Sequence, residues 1–175
     1  MLDAARAGDP DALGRIFTVL SPVVVGYLRL QGATEPEDLA SEVFIGVMRN
    51  IDRFEGDEAA FRSWVFTIAH RRVLDDRRHR SRRPTHEQLE QAPEPVAPDD
   101  LDETLIVTLG DEWVTALCGQ ISADQRDVVL LRLLGDLTVD EVALALGKSQ
   151  GAVKQLQRRG FNAIGRLLER EGVPR

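Results

Sequence analysis

Six polar side chains near the C-terminus stand where they could grip nucleic acid: Lys154, Gln155, Arg158, Arg159, Asn162 and Arg166. They remain once Val153, Leu156, Gly160, Ile164 and Leu167 are assigned to the buried stripe of one helix. Arg, Lys and Gln side chains bond to base edges and phosphates in the major groove. A second group lies upstream, where Trp64, Thr67, Arg71, Asp75 and Arg78 share a stripe of another helix. An aromatic followed by arginines suits an unpaired strand, with bases stacking on the ring and guanidiniums on the phosphates. Each group has a plainer reading. The first could be the solvated face of a helical hairpin, and Trp64 could be a core residue above a helix end in which Asp75 and Asp76 pair with arginines.

Catalysis finds little to stand on. Asp75 and Asp76 are the nearest thing to paired carboxylates, but adjacent helical residues point about 100° apart. His70, His79 and His86 have no ligand-like spacing, and Cys118 is the single cysteine, so no metal site, cofactor or internal disulfide is expected. No glycine-rich phosphate loop is present. No apolar run reads as long enough to span a membrane and no signal peptide is seen, so a reducing cytoplasm is expected.

The elements that position these groups are helical throughout, which predicts an all-α protein. Thr138 and Glu141 have capping-box spacing, followed by a short helix carrying Val139, Val142, Ala143 and Leu146. Gly147 ends it, and Ser149 caps the longer helix that bears the basic face. A short helix, a glycine turn and a longer basic helix make the helix-turn-helix pattern.

Upstream, Asp9-Pro10 opens a helix bearing Leu13, Ile16, Phe17 and Leu20, which Pro22 is expected to end or kink. Val23–Leu30 is helical again, and Gly32 closes it. Thr34 and Glu37 offer another capping box. Leu39, Val43 and Val47 follow as a core stripe, with Asp38, Ser41, Ile45 and Met48 opposite and Glu42 and Phe44 on the flanks. Apolar residues opposite a core stripe mean either burial on two sides or a docking face. Residues 50–58 form a loop with Arg53 and Phe54, and helix resumes near Ala59 with Phe61, Val65, Ile68 and Ala69 inward. Leu101–Cys118 is expected to be a helix with Leu105, Leu109, Trp113, Ala116 and Leu117 inward, weakened at Gly110. Ser122 and Gln125 then cap a helix running to Gly135.

The 175-residue chain has a net charge of −7, which argues against a nucleic-acid partner until its distribution is seen. Residues 1–83 hold 13 Arg and 13 Asp/Glu, and residues 113–175 hold nine Lys/Arg against seven Asp/Glu. Residues 84–112 hold nine Asp/Glu and no Lys or Arg, so one acidic segment sets the excess. Pro84–Asp100, with four prolines, reads as a flexible acidic linker. Two small helical domains result, 1–83 and 101–175, joined by 84–100.

Three stretches in order, EPEDLASEVFIGVMRNIDRF, FRSWVFTIAHRRVLDDRRHR and ISADQRDVVLLRLLGDLTVDEVALALGKSQGAVKQLQRR, resemble the extracytoplasmic-function (ECF) group of bacterial sigma factors in the sigma-70 family. The resemblance covers nearly the whole chain. It implies a non-catalytic initiation subunit that directs core RNA polymerase to promoter DNA and assists melting. Core polymerase contacts would be Asp38, Ser41, Glu42, Ile45 and Met48. Contacts to the −10 element would be Arg53, Phe54, Trp64, Arg71 and Arg78. Contacts to the −35 element would be Ser149, Gln150, Lys154, Gln155, Arg158 and Arg159. The linker matches the connector that threads the RNA path of polymerase, and an anti-sigma factor is an implied partner. Two positions depart from the family pattern: Ser41 stands where many members carry glutamine, and Arg71 where an asparagine often helps hold a flipped base. The competing reading is a dimeric helix-turn-helix regulator that binds a palindrome alone.

Overall fold

The computed structural model describes residues 1–82 and 113–170. The acidic linker, Leu105, Leu109, Gly110 and His86 lie outside the described residues. Among those described every regular element is helical. In chain order these are α1 (Leu2–Arg6), α2 (Pro10–Leu30), α3 (Pro36–Met48), a 3-10 turn (Ile51–Arg53) and α4 (Glu58–Arg82). A helical stretch at 113–119 follows, then α5 (Ala123–Leu133), α6 (Val139–Leu146) and α7 (Gln150–Arg170).

In the N-terminal bundle α2 packs on α3 and α4, and α3 packs on α4. The Asp9 side chain caps α2 by accepting from the amides of Asp11 (2.9 Å) and Ala12 (3.4 Å). Pro22 neither ends α2 nor divides it: one helix runs through to Leu30. Proline forfeits a single backbone bond, and the buried Ile16, Leu20, Val24, Tyr27 and Leu28 hold both halves to one core. Phe17, expected inward, lies at the edge with its ring 4.9 Å from that of Phe44. By length and composition alone α2 would suffice to cross a bilayer, contrary to the sequence reading. Its buried stripe instead makes it a central helix of this bundle.

The Thr34 cap does not form. Pro36 takes the first helical position, which makes Glu35 the cap residue, with no side-chain cap bond. The core stripe of α3 is Ala40, Val43, Phe44 and Val47, so Phe44 moves from flank to core and Leu39 is only partly buried.

A buried polar chain ties α2 to α4. Arginine can only donate, so the Arg77 guanidinium, 2.6 Å from Gln31 Oε1, fixes which way the Gln31 amide points. Gln31 Nε2 then donates to Tyr27 Oη at 3.2 Å. Tyr27 Oη stands 2.9 Å from His70 Nδ1, within hydrogen-bond distance. Burial pushes the Tyr27 hydroxyl pKa up and the His70 pKa down, so both groups stay neutral.

In the C-terminal bundle both expected capping boxes form, Ser122 with Gln125 and Thr138 with Glu141. Burial works against the Glu141 carboxylate. The Thr138 amide and hydroxyl outweigh it, with help from the Ser63 hydroxyl and Arg132, and hold its pKa below the usual range. Gly147 ends α6 at φ 62°, a conformation glycine adopts without strain. Trp113 and Ala116, expected inward, are exposed, whereas Leu117 and Cys118 are buried.

Two glycines of α7 differ sharply. A Cβ on Gly160 would stand 2.7 Å from Val129 Cγ2, so only glycine lets α7 approach α5 this closely. A Cβ on Gly165 would meet nothing within 4 Å. Gly160→Ala is therefore expected to cost roughly 1–3 kcal/mol by overpacking. Gly165→Ala should gain about 0.5–1 kcal/mol of helix stability. Urea denaturation of the two variants should give shifts of opposite sign.

Candidate nucleic-acid interface

Three surfaces carry the expected site residues. The first is built where the 3-10 turn leads into α4. Phe54 and Trp64 stack with ring centroids 5.0 Å apart at 26°, and Phe61 lies 5.3 Å from Phe54 and 5.7 Å from Trp64. Phe61 is buried and anchors the cluster, while Phe54 and Trp64 are half-buried. The core and platform readings of Trp64 thus meet in one residue: it packs on its neighbours and still borders an open pocket. Asn50, Arg53, Phe54, Glu55, Trp64, Ile68 and Arg71 line that pocket. Arg53, Phe54, Trp64 and Arg71 are thereby brought together. Arg78, two turns further along α4, is outside the lining and pairs with Asp75 at 3.1 Å.

Arg6 contributes a contact that the sequence did not signal. Its guanidinium lies over the Phe54 ring, 5.4 Å from the centroid, and donates to the Gly56 carbonyl. It thus braces the loop that carries Phe54, across a separation of about fifty residues along which no periodicity runs. Asn50 and Glu55 are the polar residues of the lining that sequence reading left unassigned within the loop.

The second surface is the outer face of α7. Gln150, Lys154, Gln155, Arg158 and Arg159 are exposed. Ser149 precedes the helix, and its Oγ accepts from the Ala152 amide at 3.2 Å, so its hydroxyl oxygen serves the cap. Lys154, Arg158 and Arg159 form no ion pair among the described residues, whereas the nearby Lys148 is held by Asp124 at 3.3 Å. On α4 the contrast runs the other way: Arg72, Arg77, Arg78 and Arg80 each face a carboxylate. Asp75 and Asp76 serve two of these arginines, Arg78 and Arg80, separately. Arg71 forms no ion pair among the described residues and is exposed beside the aromatic pocket.

The third surface is the outward side of α3, where Asp38, Ser41, Glu42, Ile45 and Met48 are all exposed. Ile45 is 49% and Met48 44% exposed, which decides against burial on two sides. Glu42 pairs with Arg72 at 3.5 Å, and Ser41 Oγ donates back to the Glu37 carbonyl at 3.0 Å.

Residues 16–83 match the family model for sigma-70 region 2, and residues 119–164 match that for sigma-70 region 4. Among characterised relatives, the chain is 32% identical to the ECF RNA polymerase sigma factor BldN of Streptomyces coelicolor, over 96% of this chain and 64% of that protein. It is 28% identical to the ECF sigma factor ShbA of Streptomyces griseus, over 97% of this chain and 94% of that one. It is 29% identical to the RNA polymerase sigma factor CarQ of Myxococcus xanthus, over 95% of each. Among solved structures, CnrH, determined with the cytosolic domain of CnrY, superposes with a TM-score of 0.67 at 21% identity, over 96% of this chain and 94% of that one, which supports the fold. Two regional matches in order on one chain, with relatives of that name along nearly all of it, place the chain in the sigma-70 family, in its extracytoplasmic-function group.

Proposed function

We propose that the chain directs core RNA polymerase to promoters and helps to open them, acting in the cytoplasm as a non-catalytic subunit. Residues 1–83 would dock on polymerase through Asp38, Ser41, Glu42, Ile45 and Met48. The same domain would take up the opened −10 strand at Arg53, Phe54, Trp64 and Arg71, with Arg78 further along α4. Residues 101–175 would read the −35 element through Ser149, Gln150, Lys154, Gln155, Arg158 and Arg159. The acidic linker, 84–100, would run through a basic channel of the enzyme. An anti-sigma protein that covers these faces is a further proposed partner.

The observation that carries the reading is the contrast in charge pairing. Lys154, Arg158 and Arg159 on α7 form no ion pair among the described residues, while Arg72, Arg77, Arg78 and Arg80 on α4 each face a carboxylate. An unpaired, exposed guanidinium gives up no internal partner when a phosphate arrives. Binding there releases counterions from the DNA, which makes affinity depend on salt.

Run-off transcription with purified core polymerase tests the reading. Arg159→Ala should weaken promoter binding and lower the slope of log affinity against log salt by about one. Full promoter-dependent activity in that variant would refute the assignment of the α7 face. Trp64→Ala should leave binding to a −35 duplex unchanged but reduce open-complex formation. Loss of one base stack predicts a drop of roughly fivefold or more, read by permanganate reactivity of the melted strand.

A further inference from the structure

Arg6 reaches the aromatic cluster from α1, ahead of the residues 16–83 that match sigma-70 region 2. Leu2 and Ala5 are buried in the core, and α1 packs on α2 and on the 3-10 turn. Arg6 therefore stands on a fixed base. Its guanidinium makes three contacts at once. It lies over the Phe54 ring, 5.4 Å from the centroid. Nη2 donates to the Gly56 carbonyl, and Nη1 pairs with Asp3 at 3.0 Å.

The stretch that it meets has little other backbone support. The Phe54 amide donates to the Ile51 carbonyl at 3.2 Å, and the Phe61 amide to the Asp57 carbonyl at 2.9 Å. Between these, Glu55 and Gly56 form no backbone–backbone hydrogen bond among the described residues. Gly56 sits at φ 141°, and a Cβ there would stand 3.0 Å from Phe54 Cζ and 2.9 Å from Ala60 Cβ. Glycine thus lets the backbone lie against the ring. Arg6 supplies the polar tie at that point.

The stability of α1 does not account for this placement. Asp3 is 94% exposed, so its ion pair with Arg6 contributes little. Arg6 Nε is buried with no hydrogen-bond partner among the described residues, which costs stability. What the residue gains is its hold on Phe54 and Gly56. Arginine suits that hold, because a flat guanidinium stacks on a ring and donates in a fixed direction at the same time.

We propose that Arg6 is a positioning residue for uptake of the opened −10 strand: it fixes the Phe54 loop against Trp64, so that the pocket is formed before a base arrives. The inference rests on the sigma-factor reading and adds to it a residue from outside the matched region. Phe54 and Trp64 stack with centroids 5.0 Å apart, and a base stacks best on rings already held in place. A loop ordered in the free protein loses less freedom when the strand binds, which raises affinity without a new contact. Arg6 acts through Phe54 and is not part of the pocket lining. Arg53 and Arg71, which do line it, are left to meet the phosphates.

Two measurements on Arg6→Ala, Arg6→Lys and Asp3→Asn test this. The first is acrylamide quenching of Trp64 in the free full-length chain, with Trp113→Phe as the common background. Arg6→Ala should raise the quenching constant. The second is the affinity of the complex with core polymerase for a single-stranded −10 oligonucleotide of the promoter used for run-off transcription. It is read from 2-aminopurine emission at several salt concentrations. Arg6→Ala should weaken binding roughly two- to fivefold, the scale of one exposed cation–π contact, with the salt slope unchanged. Arg6→Lys should recover part of the loss, and Asp3→Asn should match the parent in both measurements. A slope lowered by roughly 0.7 reveals a direct phosphate contact and overturns the positioning role. Unchanged quenching overturns it too, as does unchanged affinity with the loop loosened, or an equal loss in Asp3→Asn. If the parent complex takes up no strand while Arg6→Ala still raises quenching, the sigma-factor reading fails and the brace on Phe54 stands.

Discussion

Arg77 cannot shed its charge, and the structure is arranged around that fact. Its guanidinium is about one-quarter exposed and faces the Gln31 carbonyl, the Gln31 amide oxygen and Asp127. Because arginine only donates, Gln31 must turn its amide nitrogen to Tyr27, whose hydroxyl lies within hydrogen-bond distance of His70 Nδ1. One fixed charge thus locks a buried run of neutral polar groups between α2 and α4. On its other side the same charge meets a carboxylate of the second bundle. The helix that carries the aromatic pocket is held in place from within and from without by one side chain.

That arrangement sorts the charged surface into two kinds. Arg72, Arg77, Arg78 and Arg80 of α4 have carboxylates beside them. Arg71 beside the aromatic pocket, and Lys154, Arg158 and Arg159 on α7, form no ion pair among the described residues and are the side chains proposed to meet a partner. Net charge hides this division, because the excess of acid lies in residues 84–112. Local pairing is the better guide to where phosphates can bind.

Much of this was legible from local pattern. The capping boxes at Ser122 and Thr138, the left-handed stop at Gly147 and the outer face of α7 each depend on residues within a few positions of one another. Periodicity grouped Asp38, Ser41, Ile45 and Met48 on one side of α3 but left open whether that side was buried, and their exposure in the structure decides it. What escaped was set at long range. Arg6 braces Phe54, His70 answers Tyr27, and Phe66 is closed over by the turn at Gly135, and no local spacing announces any of these. Errors inside the elements have physical causes too. Pro22 sits in a helix whose two halves share one core, and that burial outweighs a missing backbone bond. Pro36 at the first helical position displaced the expected Thr34 cap. Trp113 and Ala116 were placed inward on a helix whose upstream half is outside the described residues.

The central claim is that this chain works as part of a larger enzyme, and its most direct test is association. Purified protein and purified core RNA polymerase should comigrate on sedimentation as a stoichiometric complex. Ile45→Arg, which places a charge in the apolar centre of the exposed α3 face, should abolish that comigration while leaving the helical content unchanged. Failure of the unaltered chain to join core polymerase under any salt condition would contradict the account at its root.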